Sequence, residues 1–252
     1  GGNNALYVSN DNGLNNQYTV SNAQSVVFAT KLFTLTPGHH YFSYDWKANG
    51  ESSYDYLRVF LAPESATLTP GTVPSGITAT GGSGTPTGWI ALDGNTKKNL
   101  SSIWGNYVAE TTITSGGNYR MVLMWRNDNG GGNQPPAAVD NVNIIKSNCI
   151  RPTNVAASSI TATGATLTWS GSATSYQVAY GGGATPTEMT PQTVSGTTLQ
   201  LSSLSPSTTY RVYVRALCSA SDQSPWSEVY TFTTLCGELT SLPYTQGFEE
   251  ST

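Results

Sequence analysis

The sequence predicts an all-β protein built from sandwiches or barrels, and three observations support this fold class. Segments of period-two alternation recur along the chain; Tyr54–Leu61, which stops before Pro63, is one of them. The 26 glycines and 13 prolines supply turn signals, and many short strands separated by turns every 8–12 residues are typical of sandwiches and barrels. No segment keeps an apolar period of 3.6 residues with helix caps, so we expect few helices.

The first 148 residues contain the longer predicted strands. Residues 26–35 run into the turn Thr36-Pro37-Gly38 and then into a strand over residues 40–46, which predicts strand, turn and strand. Three further strands are expected over residues 104–114, 119–126 and 137–145. Residues 69–88 are rich in Gly, Thr and Pro, which predicts a long surface loop.

Residues 149–236 carry a specific pattern. Trp169 faces inward from its strand, Leu204-x-Pro206-x-x-x-Tyr210 forms a corner, and Thr231-Phe232-Thr233-Thr234 closes the segment. These residues resemble a fibronectin type III domain. The resemblance implies an immunoglobulin-like sandwich in which Tyr210 makes the tyrosine corner, its hydroxyl bound to upstream backbone.

A second resemblance covers most of residues 5–146 and is carried by four segments: Phe42–Lys47, Tyr54–Val59, Tyr119–Val122 with Trp125, and Ala138–Val142. They resemble the jelly-roll modules of MAM-like, choice-of-anchor J and cleaved-adhesin type in surface proteins of anaerobic bacteria. Such modules usually open with a strand like Leu-Pro-Tyr-Thr-x-x-Phe-Glu. Residues 1–20 lack this strand, but it occurs as Leu242–Glu249.

The two resemblances together predict three pieces of a tandem array. Residues 1–148 form a jelly-roll-like sandwich without its opening strand, residues 149–236 form the fibronectin type III domain, and residues 237–252 begin the next jelly roll. The missing strand leaves an unpaired sheet edge. We therefore expect head-to-tail self-association, in which residues 242–249 add a strand to a neighbouring copy, and deletion of residues 240–252 should abolish it.

The three cysteines are Cys149, Cys218 and Cys236. In a fibronectin-type sandwich the first strand begins at the pole where the sixth ends, so the resemblance places Cys149 near Cys218 and Cys236 at the opposite pole. It implies a Cys149–Cys218 disulfide with Cys236 free or bonded elsewhere; three reduced cysteines are the alternative. A disulfide would suit an extracellular or bacterial cell-surface location.

Composition excludes several function classes. Only 10 % of residues are charged, against roughly 25 % in ordinary soluble domains, and the net charge is −4 with no Lys/Arg cluster. A nucleic-acid or anionic-membrane binder needs a concentrated basic surface, so we expect neither partner. No apolar run approaches the roughly 20 residues that a membrane-spanning helix needs, so we expect no membrane insertion.

The sequence also argues against an enzyme. The two histidines, His39 and His40, follow Pro37-Gly38 in a predicted turn, and adjacent strand residues point to opposite faces. There is no G-x-S-x-G, H-E-x-x-H or P-loop motif. Glycosidases of this sandwich type carry acidic residues spaced on one strand face, which this sequence lacks. Gly81-Gly82-Ser83-Gly84 has no strand-to-helix unit around it and is interpreted as loop.

Calcium is the one cofactor that we consider. Asp140 follows Ala-Ala-Val in a strand expected to be buried, where an unpaired carboxylate is costly. Related jelly rolls often hold a structural calcium near their last strand, so the resemblance makes Asp140 the best candidate ligand, with Asp11 and Asp128 as helpers. The alternative is a structural aspartate satisfied by hydrogen bonds.

Aromatic residues beside amides are typical of carbohydrate sites. The candidates are Trp89, Trp104, Tyr107, Trp125 and Asn127, among which Trp89, at a loop boundary, is expected to be the most exposed. The alternative is that they are core residues, as we assign Trp46 and Trp169. We therefore hold two hypotheses: a non-catalytic adhesion or spacer segment of a large bacterial surface protein that contacts host or matrix protein, and a carbohydrate-binding module that contacts glycan and serves an enzyme elsewhere.

Overall fold

The computed structural model describes residues 4–237 and is all-β. The chain divides into two compact units, Gly1–Ser147 (domain 1) and Asn148–Thr252 (domain 2), one residue from the predicted boundary. A single 3-10 turn, Pro186–Glu188, is the one helical element within the described residues. The predicted start of a further repeat, residues 237–252, lies outside them except for Gly237.

Domain 1 contains eight strands, and all of their pairings are antiparallel. Their bounds are β1 Leu6–Tyr7, β2 Ser25–Leu35, β3 Gly38–Ala48, β4 Tyr56–Pro63, β5 Ile90–Ala91, β6 Ser101–Ile113, β7 Gly117–Asn127 and β8 Ala138–Lys146. The first sheet has the order β1-β8-β3-β6 and the second β2-β7-β4-β5. Two four-stranded sheets in this order make a jelly roll. The opening strand expected to be missing is reduced to the two residues of β1, which pair with Val139 and Ala138.

Period-two alternation places the main core of domain 1 between the two sheets. Leu57, Val59 and Leu61 of β4 face this core, as do Met121 and Trp125 of β7. From the first sheet the core receives a second set of buried residues: Phe42, Tyr44, Ala48, Ala109, Ile113 and Val139.

The long loop between β4 and β5 covers the outer face of the second sheet. Tyr56, Phe60 and Ala62 point to this face and are buried there beneath Ile77 of the loop. The loop was predicted to run over the surface, but it closes a second core because β4 is apolar on both faces. An apolar outer face must be covered by another element to be removed from water.

Buried charges fix this loop to β4. Arg58 and Asp93 are both fully buried, and Arg58 Nε lies 2.5 Å from Asp93 Oδ2. Arg58 Nη1 donates to the carbonyls of Gly82 and Gly84, and Nη2 donates to Asp93 Oδ1 at 3.2 Å and to the Asn95 side chain at 3.4 Å. Gly82 has a φ of +66°, and a Cβ there would meet the ring of Tyr56 at 2.8 Å, so the close approach requires glycine. The glycine-rich segment is a loop, as predicted, and it is fixed by an arginine.

Domain 2 is a second two-sheet sandwich. Its strands are β9 Thr153–Ser158, β10 Ala165–Ser170, β11 Ser175–Gly181, β12 Gln192–Ser195, β13 Thr198–Leu201, β14 Thr209–Leu217 and β15 Tyr230–Thr233. The sheets have the orders β13-β10-β9 and β12-β11-β14-β15. Trp169 of the first sheet and Tyr176 of the second meet edge-to-face in the core with ring centroids 5.5 Å apart.

Candidate binding groove

An apolar groove opens on one side of the jelly roll, between β1 and β2. It encloses about 500 Å³ and lies between the two sheets. Val8 and Val139 line it from the first sheet, and Val27, Leu57 and Trp125 from the second. Ligand sites are usually concave, mostly apolar clefts of this size, so this groove is the candidate functional site of domain 1.

The rim of the groove exposes large apolar side chains. Leu6 is 53 % exposed and Val27 41 %, and both line the groove. β2 is the edge strand of its sheet and pairs with β7 alone among strands. A long edge strand beside exposed apolar residues is a template for pairing with another chain.

Trp125 lies at the floor of the groove and is 2 % exposed. Its buried Nε1 donor has no hydrogen-bond acceptor among residues 4–237. A buried polar group without a partner costs about 1–3 kcal/mol and calls for an explanation.

Tyr18 connects the groove to a buried carboxylate. Its ring packs edge-to-face on Trp125 with centroids 5.3 Å apart, and its hydroxyl donates a 2.5 Å hydrogen bond to Asp55. Burial raises the pKa of the Tyr18 hydroxyl, and the bond to Asp55 raises it further. Asp55 is fully buried and also accepts from the backbone N–H groups of Glu51 and Asp128. One carboxylate thus holds three loops around the groove.

The structure does not bring the five carbohydrate candidates together. Trp125 and Asn127 are buried, and the Asn127 amide donates to the Ala23 carbonyl beneath the start of β2. Trp89 was expected to be the most exposed, but it packs against Phe60 under the long loop, with ring centroids 5.5 Å apart. Trp89 faces inward because the outer face of β4 is itself a core, whereas Trp125 faces the core between the two sheets.

The remaining two candidates lie on opposite faces of β6. Tyr107 packs against the inter-sheet core beside Tyr44, whereas Trp104 is 45 % exposed beneath the Lys47 ammonium. Residues 104 and 107 are an odd number apart, so a pleated strand directs them to different sides. Trp46, assigned to the core, is partly buried against it, and Trp169 is buried as expected.

The calcium candidates also lie apart. Asp11 accepts hydrogen bonds from Ser9, Leu14, Asn15 and Gln17 within its own loop. The bonds from Ser9, Asn15 and Leu14, with Ser9 first, lower the pKa of Asp11 to about 2. Asp128 accepts from the Gly130 N–H in the loop after β7.

Asp140 was expected on a buried strand, but it is half-buried because it faces outward from β8, directly opposite Asp45 of β3. The Asp45 carboxylate accepts from the amides of Asn141 and Asn106, in that order the main causes of its lowered pKa. Within residues 4–237 no group of three or more His, Cys, Asp and Glu side chains is placed to hold a metal ion. Calcium, which takes six to eight oxygens, would need most of them from amides and main chain, and its binding stays a prediction.

The histidines belong to β3 rather than to the turn where they were predicted. His39 lies on the outer face, 3.4 Å from Glu110, and His40 is buried with its ring nitrogen 3.0 Å from the Gly38 carbonyl oxygen. The turn is shorter than expected because β3 begins at Gly38. The two rings face opposite sides, as the alternation predicted.

Domain 2 contains the two features that its sequence pattern implied. The Tyr210 hydroxyl accepts a 2.8 Å hydrogen bond from the Ser205 N–H, upstream in the chain, which is the tyrosine corner. Cys149 and Cys218 are joined by a disulfide with Cα atoms 5.6 Å apart, and Cys236 is free and exposed. Comparison with known families agrees with this geometry, because residues 151–233 match the model of the fibronectin type III domain.

Residues 151–233 are a fibronectin type III domain. Solved structures similar to the chain include a computer-based redesign of a β-sandwich protein, at 30 % identity over 35 % of this chain and 98 % of that one, with a TM-score of 0.31. The sixth fibronectin type III domain of human fibronectin type III domain containing protein 3 is 27 % identical over 38 % of this chain and 94 % of that one, with a TM-score of 0.32. The fibronectin type III domain of the human collagen alpha-1(XX) chain is 27 % identical over 36 % of this chain and 90 % of that one, with a TM-score of 0.30.

No curated protein matches the chain. Fibronectin type III domains are in general non-catalytic scaffold modules of multi-domain proteins, and they usually occur in extracellular or cell-surface proteins. Within residues 4–237 no helix has the length and apolar character needed to span a membrane.

Sequence reasoning missed the groove itself. Its lining comes from residues far apart in the chain, such as Leu6, Tyr18 and Val27, whose side chains meet only through the packing of the two sheets. Two of its lining residues, Trp125 and Asn127, were among the candidates from the sequence.

Proposed function

We propose that this chain is a non-catalytic adhesion segment, with a spacer role for its fibronectin type III domain, in a larger bacterial secreted or cell-surface protein. The observation that carries the proposal is the fibronectin type III domain at residues 151–233, preceded in the same chain by a second β-sandwich. Modules of this kind act by holding and presenting surfaces. The resemblance of residues 5–146 to bacterial adhesin jelly rolls supports the source and location.

Two features of the chain support binding rather than catalysis, and a third supports the extracellular location. The groove is lined mainly by apolar side chains, with Asn10 and Asn127 among its few polar ones. The buried charges that we describe, Asp55 and the Arg58–Asp93 pair, are bound to neighbouring backbone and stabilise loops. The Cys149–Cys218 disulfide suits an oxidising, extracellular compartment.

The test is solid-phase binding of the full chain to purified matrix proteins, including collagen, together with a glycan array and a panel of hydrolase substrates. We expect saturable binding to a protein, none to glycans and no turnover. Glycan binding that disappears in Trp104→Ala, the exposed aromatic, would instead establish a carbohydrate-binding module. Turnover would contradict the proposal outright, and binding to neither probe would remove the adhesive role.

A further inference from the structure

We propose that the groove between β1 and β2 binds residues 242–249 of a second copy of this chain as an added β-strand along β2. The resulting contact is head-to-tail, since the groove of one molecule receives the C-terminal segment of another. The proposal goes beyond the adhesive function, because a chain can bind a partner protein without binding itself.

The receiving edge is β2. It is eleven residues long and has one strand partner, β7, along its whole length. The Gly71 N–H binds the Val26 carbonyl at 2.8 Å, so the long loop protects only the start of this edge. A strand added to such an edge forms main-chain hydrogen bonds, while its alternate side chains enter whatever cavity lies beside it.

The groove beside β2 offers apolar contacts to an occupant, because Val27, Leu57 and Trp125 line it. The free edge of β2 offers main-chain donors and acceptors beside these contacts. A peptide strand matches both, because its side chains and its main-chain polar groups point in different directions.

The chain contains one segment of this chemistry outside its described residues. An extended conformation of Leu242–Glu249 would place Leu242, Tyr244, Gln246 and Phe248 on one face, and Thr245 and Glu249 on the other. Eight extended residues span about 27 Å, shorter than the eleven-residue β2. Pro243 is compatible with this arrangement, since proline is tolerated in edge strands.

The C-terminal segment follows domain 2 at the end opposite to Cys149. Cys149 is bonded to Cys218 just past the end of β14, whereas Gly237 lies against Pro206, before the start of β14. The nine residues of β14 span about 30 Å, and the four residues 238–241 can reach at most about 14 Å. These four residues are too few to span β14 back to the Cys149 end, a limit that does not apply to a groove on a second copy.

The experiment uses two defective chains that complement each other. One lacks residues 240–252 and keeps its groove; the other carries Val27→Arg and keeps its C-terminal segment. Sedimentation velocity at rising concentration should show oligomers for the unmodified chain and monomers for each variant alone. Mixing the two variants should restore association and stop it at a dimer, since only one productive contact remains.

A matched substitution controls for charge and exposure. Leu32 lies on the same strand and is 43 % exposed, but it does not line the groove, so Leu32→Arg should associate like the unmodified chain. Phe248→Asp blocks the contact from the other side without touching the described fold. Circular dichroism confirms that each variant is folded before association is measured.

Three outcomes would overturn the proposal. Oligomers that survive the deletion of residues 240–252 would show a different interface. A mixture of the two variants that stays monomeric at high concentration would show that the groove does not take the segment. An unmodified chain that is monomeric, while the deletion variant binds a peptide of residues 240–252, would show that each molecule fills its own groove. None of these outcomes affects the adhesion test.

Discussion

At the scale of single residues, the buried carboxylate of Asp55 joins three loops and holds Tyr18, which lines the groove. It accepts one side-chain and two backbone hydrogen bonds, from Tyr18, Glu51 and Asp128. A buried charge is tolerated only when donors surround it, so each of these bonds stabilises more than an exposed one would. The hydrogen bond from the Tyr18 hydroxyl is the shortest of the three, at 2.5 Å.

We predict that Tyr18→Phe lowers the free energy of unfolding of domain 1 by about 2 kcal/mol, because a hydrogen bond to a buried charged group is lost while the ring contact with Trp125 remains. Urea unfolding measures this change. The control is Tyr119→Phe, whose hydroxyl donates to the Ser115 carbonyl at an exposed site and whose loss should cost less than about 0.5 kcal/mol. Equal effects of the two substitutions would contradict the role given to Asp55.

At the scale of elements, the loop between β4 and β5 behaves as a third layer of domain 1. Arg58 points from β4 into this layer, where Asp93 and the carbonyls of Gly82 and Gly84 surround it. Asp93 also accepts from the Val59 N–H at 3.0 Å. Arg58 and Asp93 together tie the later part of the loop, at Gly82 and Gly84, and the turn after β5 to one strand.

We predict that Asp93→Ala destabilises domain 1 by about 3–5 kcal/mol, because it leaves the Arg58 guanidinium buried without its counterion. The double variant Arg58→Met with Asp93→Leu should cost less than Asp93→Ala alone, since no unpaired charge remains. Arg120→Met, on the neighbouring strand, is the control and should change stability by less than about 1 kcal/mol. A double variant less stable than the single one would refute this account.

The facing strands β3 and β8 place Asp45 and Asp140 directly opposite each other. Like charges in this position repel, so Asp140→Asn should raise the free energy of unfolding by about 0.5 kcal/mol in thermal unfolding with EDTA.

Thermal unfolding also tests calcium, which at a hundred times its Kd would add about 2.7 kcal/mol to the free energy of unfolding. A calcium-dependent rise that is lost in Asp140→Asn but kept in Asp11→Asn and Asp128→Asn would place an ion at this pair; no rise in the unmodified chain would make Asp140 a hydrogen-bonded residue.

At the scale of the whole molecule, patterns with fixed spacing predicted most reliably. The Leu204-x-Pro206-x-x-x-Tyr210 corner and the inward Trp169 were sufficient to recognise domain 2, because each has one place in such a sandwich. Alternation along β3 and β7 likewise predicted strands, since half-buried strands repeat every two residues.

Alternation does not say which face of a strand is covered, and this explains the errors. Trp89 was expected at the surface and Asp140 in the core, but both are half-buried: Trp89 packs inward under the long loop and Asp140 faces outward from β8. The sequence of β4, which is apolar on both faces apart from Arg58, was the available signal that its sheet is covered on both sides. The groove depends on how two sheets are offset, which no local pattern encodes.

The disulfide links the stability of the molecule to its compartment. Cys149 and Cys218 close a loop with a sequence separation of 69, and a cross-link of that length stabilises by about 4 kcal/mol in the chain-entropy description. We predict that Cys149→Ser with Cys218→Ser lowers the free energy of unfolding of domain 2 by about this amount, while Cys236→Ser, at the free and exposed cysteine, leaves it unchanged.

Thiol titration under denaturing conditions provides an independent measurement of the same bond. Protein from an oxidising expression compartment should show one thiol per chain, from Cys236, and three after reduction. The unfolding of domain 2 should then shift with reductant, because the unfolded chain gains conformational freedom when the loop opens. Three thiols before reduction would contradict the disulfide and remove the compartment argument for an extracellular protein. One thiol before reduction, with the same stability of domain 2 before and after reduction, would mean that the disulfide forms but does not stabilise the domain.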